Sequence, residues 1–389
     1  MEETYENTMQ VKPSVESWST WEQEHGVSVG AASLLPSGFA VGNAQDTAAG
    51  TGCTVLLCKA GAVGGVAVEG AAPATRETEV LRSENAVECV HGVILSGGSA
   101  FGLDAATGAM QFLAEQGAGV AFGGRTIPIV VGASLFDLVV GSAEVTPDAA
   151  MGYQAARNTA SATDSALDAA AGNALGSTVG AVGNIGAGTG ASVGKMLGPE
   201  FSMKGGLGAA SITQDDLTVS AVVAVNALGC VSDPVSGARL AGVLDPQTAA
   251  SDTPKLLDPY VALELFAQSQ TGEQPNAQAD KQPNAQANGN DAQANSNTNT
   301  TIGCILTNAR LTKPQANRVA LMAHDGLART ITPVHTSFDG DAVFCMASGE
   351  VAAHPDVVGS LAALCMERAI VNAVVEAQSA YGLLAFGDV

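Results

Sequence analysis

Residues 271 to 310 place two incompatible kinds of sequence end to end. Up to Asn299 the chain is built of Gln, Asn, Pro and small residues, with QPNAQA written twice, at 274–279 and 282–287. Such a composition cannot bury enough apolar area to offset the entropy of ordering it, so 271–299 is expected to be a disordered insert. From Thr301 the chain reads as a buried strand, predicted over 301–308, with Ile302, Cys304, Ile305 and Leu306 in its core. No turn signal separates the two. Thr300 thus stands between a tether and a hydrophobic interior.

A hydroxyl residue at the head of a buried strand, behind a dispensable segment, is what an N-terminal nucleophile requires before cleavage exposes it. If the Asn299–Thr300 bond breaks, the new α-amine has a pKa of about 7.7 to 8.0 and lies within reach of its own hydroxyl, so it can serve as general base near neutral pH. Read from this stretch alone, an exposed loop leading into a strand stands level with that interpretation.

The flanking sequence is mixed. Residues 1–26 read as a loosely held arm, followed by β-rich runs (VSVGAASLL, CTVLLCKAG, VGGVAVEG, ECVHGVILSG) punctuated by glycine turns. Ser99 is expected to cap a helix that stops at Gly117, and a second helix is predicted over 149–171. The stretch STVGAVGNIGAGTGASVGKM is too glycine-rich for a helix, and the β run LTVSAVVAVNALG ends its strand at Asn226. A short helix is predicted over 255–269, another opened by Pro314, a strand over 342–348 and a long helix over 355–380. This order lacks a steady βαβ rhythm and predicts α+β layers. The segments 27–270 and 300–389 are expected to form one catalytic domain around the insert.

Charge and motif spacing exclude several function classes. The net charge is −22, with only 16 Lys and Arg, which argues against nucleic acid or an anionic membrane as partner. Seven cysteines without a C-x-x-C pair, mostly in apolar runs, read as reduced core residues. With an acidic N-terminus and no unbroken apolar run of 18 residues, a soluble cytoplasmic protein is expected. GASVGK lacks the first Walker glycine and ends in Met196 instead of Ser or Thr, so it is no P-loop. GGSAFG has Phe101 where a nucleophile elbow needs glycine, and GAGTGA has no dinucleotide-binding context. The histidines show no zinc spacing, so neither metal nor cofactor is expected. In HTSFDGD, Asp339 and Asp341 lie two apart and either face a cleft together or sit in a solvated loop.

Several motifs occur in a shared order: CTVLLCKAGAVGGVAVEG, APATRETEVL, VILSGGSAFGLDAATGAM, GNIGAGTGASVGKMLG, KGGLGAAS and NTTIGCILTNARLTKPQANRVALMAHDGLARTITPVHTSFDGD. Together they make the chain resemble the P1 family peptidases, the self-processing L-aminopeptidase/D-esterase and β-peptidyl aminopeptidase group, over about residues 28–389 apart from the insert. The resemblance implies a four-layer αββα sandwich of the N-terminal-nucleophile type, cut before a Ser or Thr that then acts on substrate. It implies Thr300 as nucleophile, Asn226 in VAVNALG as oxyanion donor, and Tyr153 in MGYQAA as an assisting residue. Asp339 and Asp341 would orient the nucleophile, with Asp where some members have Ser. Where the aminopeptidases place a carboxylate that grips the substrate amine, this chain has Gly132-Ala133-Ser134.

The expected function is that of an autoproteolytic, cofactor-free amidase or aminopeptidase. Its substrate would be a small peptide or an amino-acid amide or ester, and the processed pieces 1–299 and 300–389 would stay together in a homo-oligomer. The alternatives are an acyltransferase of the ornithine acetyltransferase type and a non-catalytic binding protein.

Overall fold

A computed structural model describes residues 27–30, 33–164, 178–271 and 299–389. The arm 1–26 and nearly all of the insert lie outside them. The described elements that build the site are β1 (Phe39–Asp46), β2 (Thr51–Val68), β3 (Val90–Ser96), α1 (Ala105–Glu115), β4 (Val130–Ser134), α2 (Ala149–Asp164), β5 (Gly206–Gln214), β6 (Leu217–Asn226), β7 (Thr300–Ala309), α3 (Lys313–Thr330), β8 (Ala342–Val351) and α4 (Pro355–Val375).

The runs 53–61 and 63–70, expected as two strands, form the single strand β2 as far as Val68. Gly61 takes φ +84° and the register with β3 shifts between Leu57 and Ala62, so glycine here makes a bulge and not a turn. The bulge lets one strand serve two sheets. Its first half pairs with β1 and β3, and Val63–Val68 pairs with β8.

Side-chain alternation sorts the core into layers. Along β6, Val219, Ala221, Val223 and Val225 face α3 and α4, whereas Val222 and Ala224 face inward to meet Leu56, Val93, Leu95 and Val131 of the opposing sheet. The outer face of that second sheet, Cys53, Val55, Leu57 and Ile94, packs on α1 and α2. The layers are therefore helices, sheet, sheet, helices: a four-layer αββα sandwich. The helices sit directly on the sheet at several glycines, Gly65 and Gly208 among them. A Cβ on Gly65 would lie 2.3 Å from the Ala316 carbonyl carbon of α3, and one on Gly208 would lie 1.9 Å from the Ala369 oxygen of α4.

Helix boundaries moved where local chemistry outweighed periodicity. Ser99 is not a side-chain cap; it has φ +54° and opens a 3-10 turn, Ser99–Asp104, that feeds α1. The helix predicted over 255–269 runs from Pro259 to Thr271, because the Asp258 carboxylate accepts from the Tyr260 amide. Thr271 is thus helical rather than part of the insert. α2 is described to Asp164, and the rest of its predicted span lies outside the described residues. α4 is long and apolar enough to cross a membrane, but 78% of its apolar window is buried, as in a core helix. Six of the seven cysteines are buried, and all seven are unpaired.

Candidate active site

Topology brings the head of β7 to a crowded sheet end. β6 is antiparallel to β7 with Asn226 opposite Thr300, so the last residue of one strand meets the first of the next. β8 is parallel to β7, with Ala342 beside Ile302. Parallel neighbours begin at the same end, so the loop entering β8, which carries Asp339 and Asp341, lies beside Thr300.

The peptide preceding Thr300 is held in place. Asn299, 2% exposed, forms a parallel bridge with Asp339, and its carbonyl accepts the Gly340 amide at 3.1 Å. The same carbonyl accepts the Thr300 hydroxyl. The nucleophile candidate and a backbone donor therefore converge on one acyl group. Gly340 has to be glycine: a Cβ there would lie 2.9 Å from Thr300 Oγ1 and 2.6 Å from the Ala72 oxygen. Asn299 was expected at the end of the insert, but it is buried as part of this frame.

The two aspartates occupy different environments. Asp341 Oδ1 accepts the Thr301 amide at 2.7 Å, and its Oδ2 accepts the His335 amide at 3.2 Å and lies 2.8 Å from His335 Nδ1. Asp339 Oδ2 accepts the Thr336 amide at 2.8 Å and the Thr336 hydroxyl at 2.6 Å. Burial, reinforced by the charge of Asp341, pushes the Asp339 carboxyl up to about 6.

Asn226 is fully buried and its amide is fixed at both ends. Its Oδ1 accepts the Ser192 amide at 3.0 Å and Lys195 Nζ at 2.7 Å, and its Nδ2 donates to the Phe136 oxygen at 3.0 Å. The amide expected as an oxyanion donor thus already has one N–H on the Phe136 carbonyl. Burial pulls the Lys195 amine down to about 7 against the opposing charges of Asp339 and Asp137. Asp137, also buried, accepts Thr51 Oγ1 and the Gly98 amide, each at 2.7 Å. A second buried amine, Lys204, donates to the carbonyls of Gly188, Ala191 and Gly205 at 2.8 to 2.9 Å. It anchors the loop that presents the Ser192 amide to Asn226.

Thr300, Asn226, Asp339 and Asp341 thus share one sheet end, whereas Tyr153 lies elsewhere. Its hydroxyl donates to Glu115 at 2.6 Å and its ring meets Phe112 edge-on at 5.9 Å, both on α1. None of these contacts reaches Thr300 or Asn226. The position follows from tight helix pairing, since a Cβ on Gly108 or Gly152 would lie 1.8 Å from a carbonyl of the facing helix. Lys195, Lys204 and His335 were missed as site residues. The available signal was a lysine isolated among Gly, Val and Met in a chain poor in cations. The β4 segment Gly132-Ala133-Ser134 is buried and carries no carboxylate. Beside Lys195 opens a cavity of about 210 Å³, lined by Val139, Val140, Ser192, Glu200 and Tyr381 among others.

The chain matches the description of Peptidase family S58 over residues 25–385. It belongs to that family. This S58 chain is 37% identical over 353 residues to an uncharacterized aminopeptidase of Mycobacterium tuberculosis (strain ATCC 25618 / H37Rv), covering 87% of this chain and 89% of that one. It is 28% identical over 314 residues to a 6-aminohexanoate-oligomer endohydrolase of Kocuria sp. (strain KY2), covering 81% and 74%. Its fold is shared with a Burkholderia sp. beta-aminopeptidase, at TM-score 0.56 and 19% identity over 95% of this chain and 96% of that one. The fold is also that of the L-aminopeptidase D-Ala-esterase/amidase of Ochrobactrum anthropi, described as a variant of the Ntn hydrolase fold, at TM-score 0.57 and 16% identity over 90% and 88%. As a member of Peptidase family S58 the chain is a peptidase, and so a hydrolase.

Proposed function

We propose that this S58 peptidase cuts itself between Asn299 and Thr300 and then hydrolyses small amides or esters with Thr300 as its N-terminal nucleophile. The observation that carries this reading is the meeting of the Thr300 hydroxyl and the Gly340 amide on the Asn299 carbonyl. In maturation, Thr300 Oγ bonds to the Asn299 carbonyl carbon while the Gly340 N–H stabilises the developing oxyanion. The C–N bond then breaks, the Thr300 nitrogen takes a proton, and water hydrolyses the resulting ester. The products are a carboxylate at Asn299 and a free α-amine and hydroxyl on Thr300.

In turnover the α-amine accepts the hydroxyl proton as Oγ attacks the substrate carbonyl, returns it to the leaving amine or alcohol, and assists water in clearing the acyl ester. Asn226, released from Phe136 by a modest shift, supplies the oxyanion donor, and Lys195 holds its carbonyl end. The cavity at Lys195 is below the usual range of about 300–1,000 Å³ for drug-sized ligands, which favours a short acyl or leaving group. The Kocuria endohydrolase and the aminopeptidases named above support amide substrates. Denaturing mass measurement with N-terminal sequencing of the small piece tests the reading: a sequence beginning TTIGCIL supports it, and an intact chain overturns it.

A further inference from the structure

His335 has a left-handed backbone, φ +55°, which a side chain with a Cβ adopts only when its surroundings impose it. That conformation lets one residue deliver two donors to one carboxylate oxygen, the amide at 3.2 Å and Nδ1 at 2.8 Å from Asp341 Oδ2. Asp341 uses its other oxygen on the amide of Thr301, the residue next to the nucleophile. Behind His335 stands His324 of α3, ring centroids 4.8 Å apart, with its Nε2 3.1 Å from the Ala67 oxygen. The charged groups around the His335 ring are Asp341 and Asp339 of its own loop and Glu69 just past β2; His324 is the titratable group contributed by α3.

We propose that His335 is a positioning residue of this site: its amide and its imidazolium together hold the Asp341 side chain on the Thr301 amide, and the same cation acts on the neighbouring Asp339. The proposal rests on the reading of Thr300 as nucleophile. Geometry divides the pair, because Asp341 is held by two backbone amides and an imidazole, whereas Asp339 is held by the amide and hydroxyl of Thr336 and the Leu228 backbone, with the buried Lys195 amine on its side of the pair. Environments that separate two carboxyls in this way also separate their roles. The titration behaviour agrees. Burial pulls His335 down, but Asp341, with help from Glu69 and Asp339, outweighs it and leaves the imidazole above its ordinary value.

The test is the pH dependence of kcat/KM of the self-processed enzyme on a p-nitroanilide or ester, in wild type and in His335→Asn. Asparagine tolerates the left-handed backbone and keeps a neutral donor near Asp341. Wild type should show two acid limbs, one from the Thr300 α-amine at about pH 7.7 to 8.0 and a lower one near pH 6, where Asp339 titrates. In His335→Asn the lower limb should move up by about 1 pH unit or more, the usual effect of removing a neighbouring cation, with kcat lowered and KM little changed. Coincident lower limbs in the two proteins would overturn the proposal. A second measurement does not depend on the variant folding. The His335 imidazole of wild-type protein, followed by NMR, should titrate above about 6.5 and drop in Asp341→Asn; a value at or below 6.5 in wild type also overturns it. Failure of the nucleophile reading looks different: hydrolysis persisting in Thr300→Ala, with the His335 titration still raised.

Discussion

Lys195 Nζ lies 2.7 Å from Asn226 Oδ1 and 3.1 Å from the Asn226 backbone oxygen, so one buried amine grips both carbonyl groups of the residue paired with Thr300. Removing either partner should loosen the same amide. Asn226→Ala and Lys195→Met should each slow hydrolysis by about 10²- to 10³-fold, the usual cost of losing one oxyanion donor. If the two act as a unit, the double variant should be scarcely slower than either single one. Steady-state rates on the three proteins check this, and additive losses would separate the two residues.

Thr300→Ala should remain a single chain on a denaturing gel and hydrolyse nothing above background, while Thr300→Ser keeps part of both activities. A cut that persists in Thr300→Ala assigns the cleavage to another residue or to an outside protease.

Gly340→Ala crowds the frame while removing no functional group. The added methyl meets Thr300 Oγ1 at 2.9 Å and the Ala72 oxygen at 2.6 Å. Processing should slow at least about tenfold, and stability should fall by about 1–3 kcal/mol, as for an overpacked site. A gel time course and a urea melt read both effects.

Tyr153→Phe removes only a partly exposed hydroxyl bond to Glu115. Processing and turnover should stay within about twofold of wild type, since a surface substitution of this kind shifts stability by about 0.5 kcal/mol or less. A tenfold loss would return Tyr153 to the site.

Stability should rise with pH just above neutrality. Burial holds Lys195 and Lys204 at about 7, against about 10.4 in an unfolded chain. Between those values the unfolded state binds more protons, so each lysine adds up to about 1.4 kcal/mol per pH unit as pH rises. Above about pH 8.5 the trend reverses. Unfolded thiols ionise there, whereas burial keeps Cys53 and Cys345 protonated to about 12 and Cys230 to about 11. Urea midpoints measured across this range should peak at about pH 8.5. Lys204→Met should lower the peak by about 3 kcal/mol or more, because three carbonyls lose their donor, and should flatten the rise toward it.

The residues legible in the sequence were those marked by an abrupt local change. Thr300 stands where polarity switches, Asn226 ends an apolar run, and Asp339 and Asp341 flank a glycine. Lys195 and Lys204 carried only a faint mark, their isolation among Gly, Val and Met, because their burial depends on segments far apart in the chain. His335 depends on a backbone conformation that periodicity does not encode. The two runs joined at Gly61 looked like separate strands because a glycine at a bulge and a glycine at a turn read alike. Tyr153 was placed by resemblance alone, and the glycine contacts between α1 and α2 set it elsewhere.

β7 is an interior strand, laced to β6 on one side and β8 on the other. Scission at its first residue would break none of those ladder bonds, so the native form would survive as a two-piece assembly. Recovery from denaturation is another matter. A continuous chain brings this strand to its neighbours within one molecule, whereas the severed pieces would have to find each other in solution, at a rate that falls with dilution. Maturation would therefore make folding a one-time event: a precursor should refold at any concentration, and the matured enzyme, once unfolded, should not.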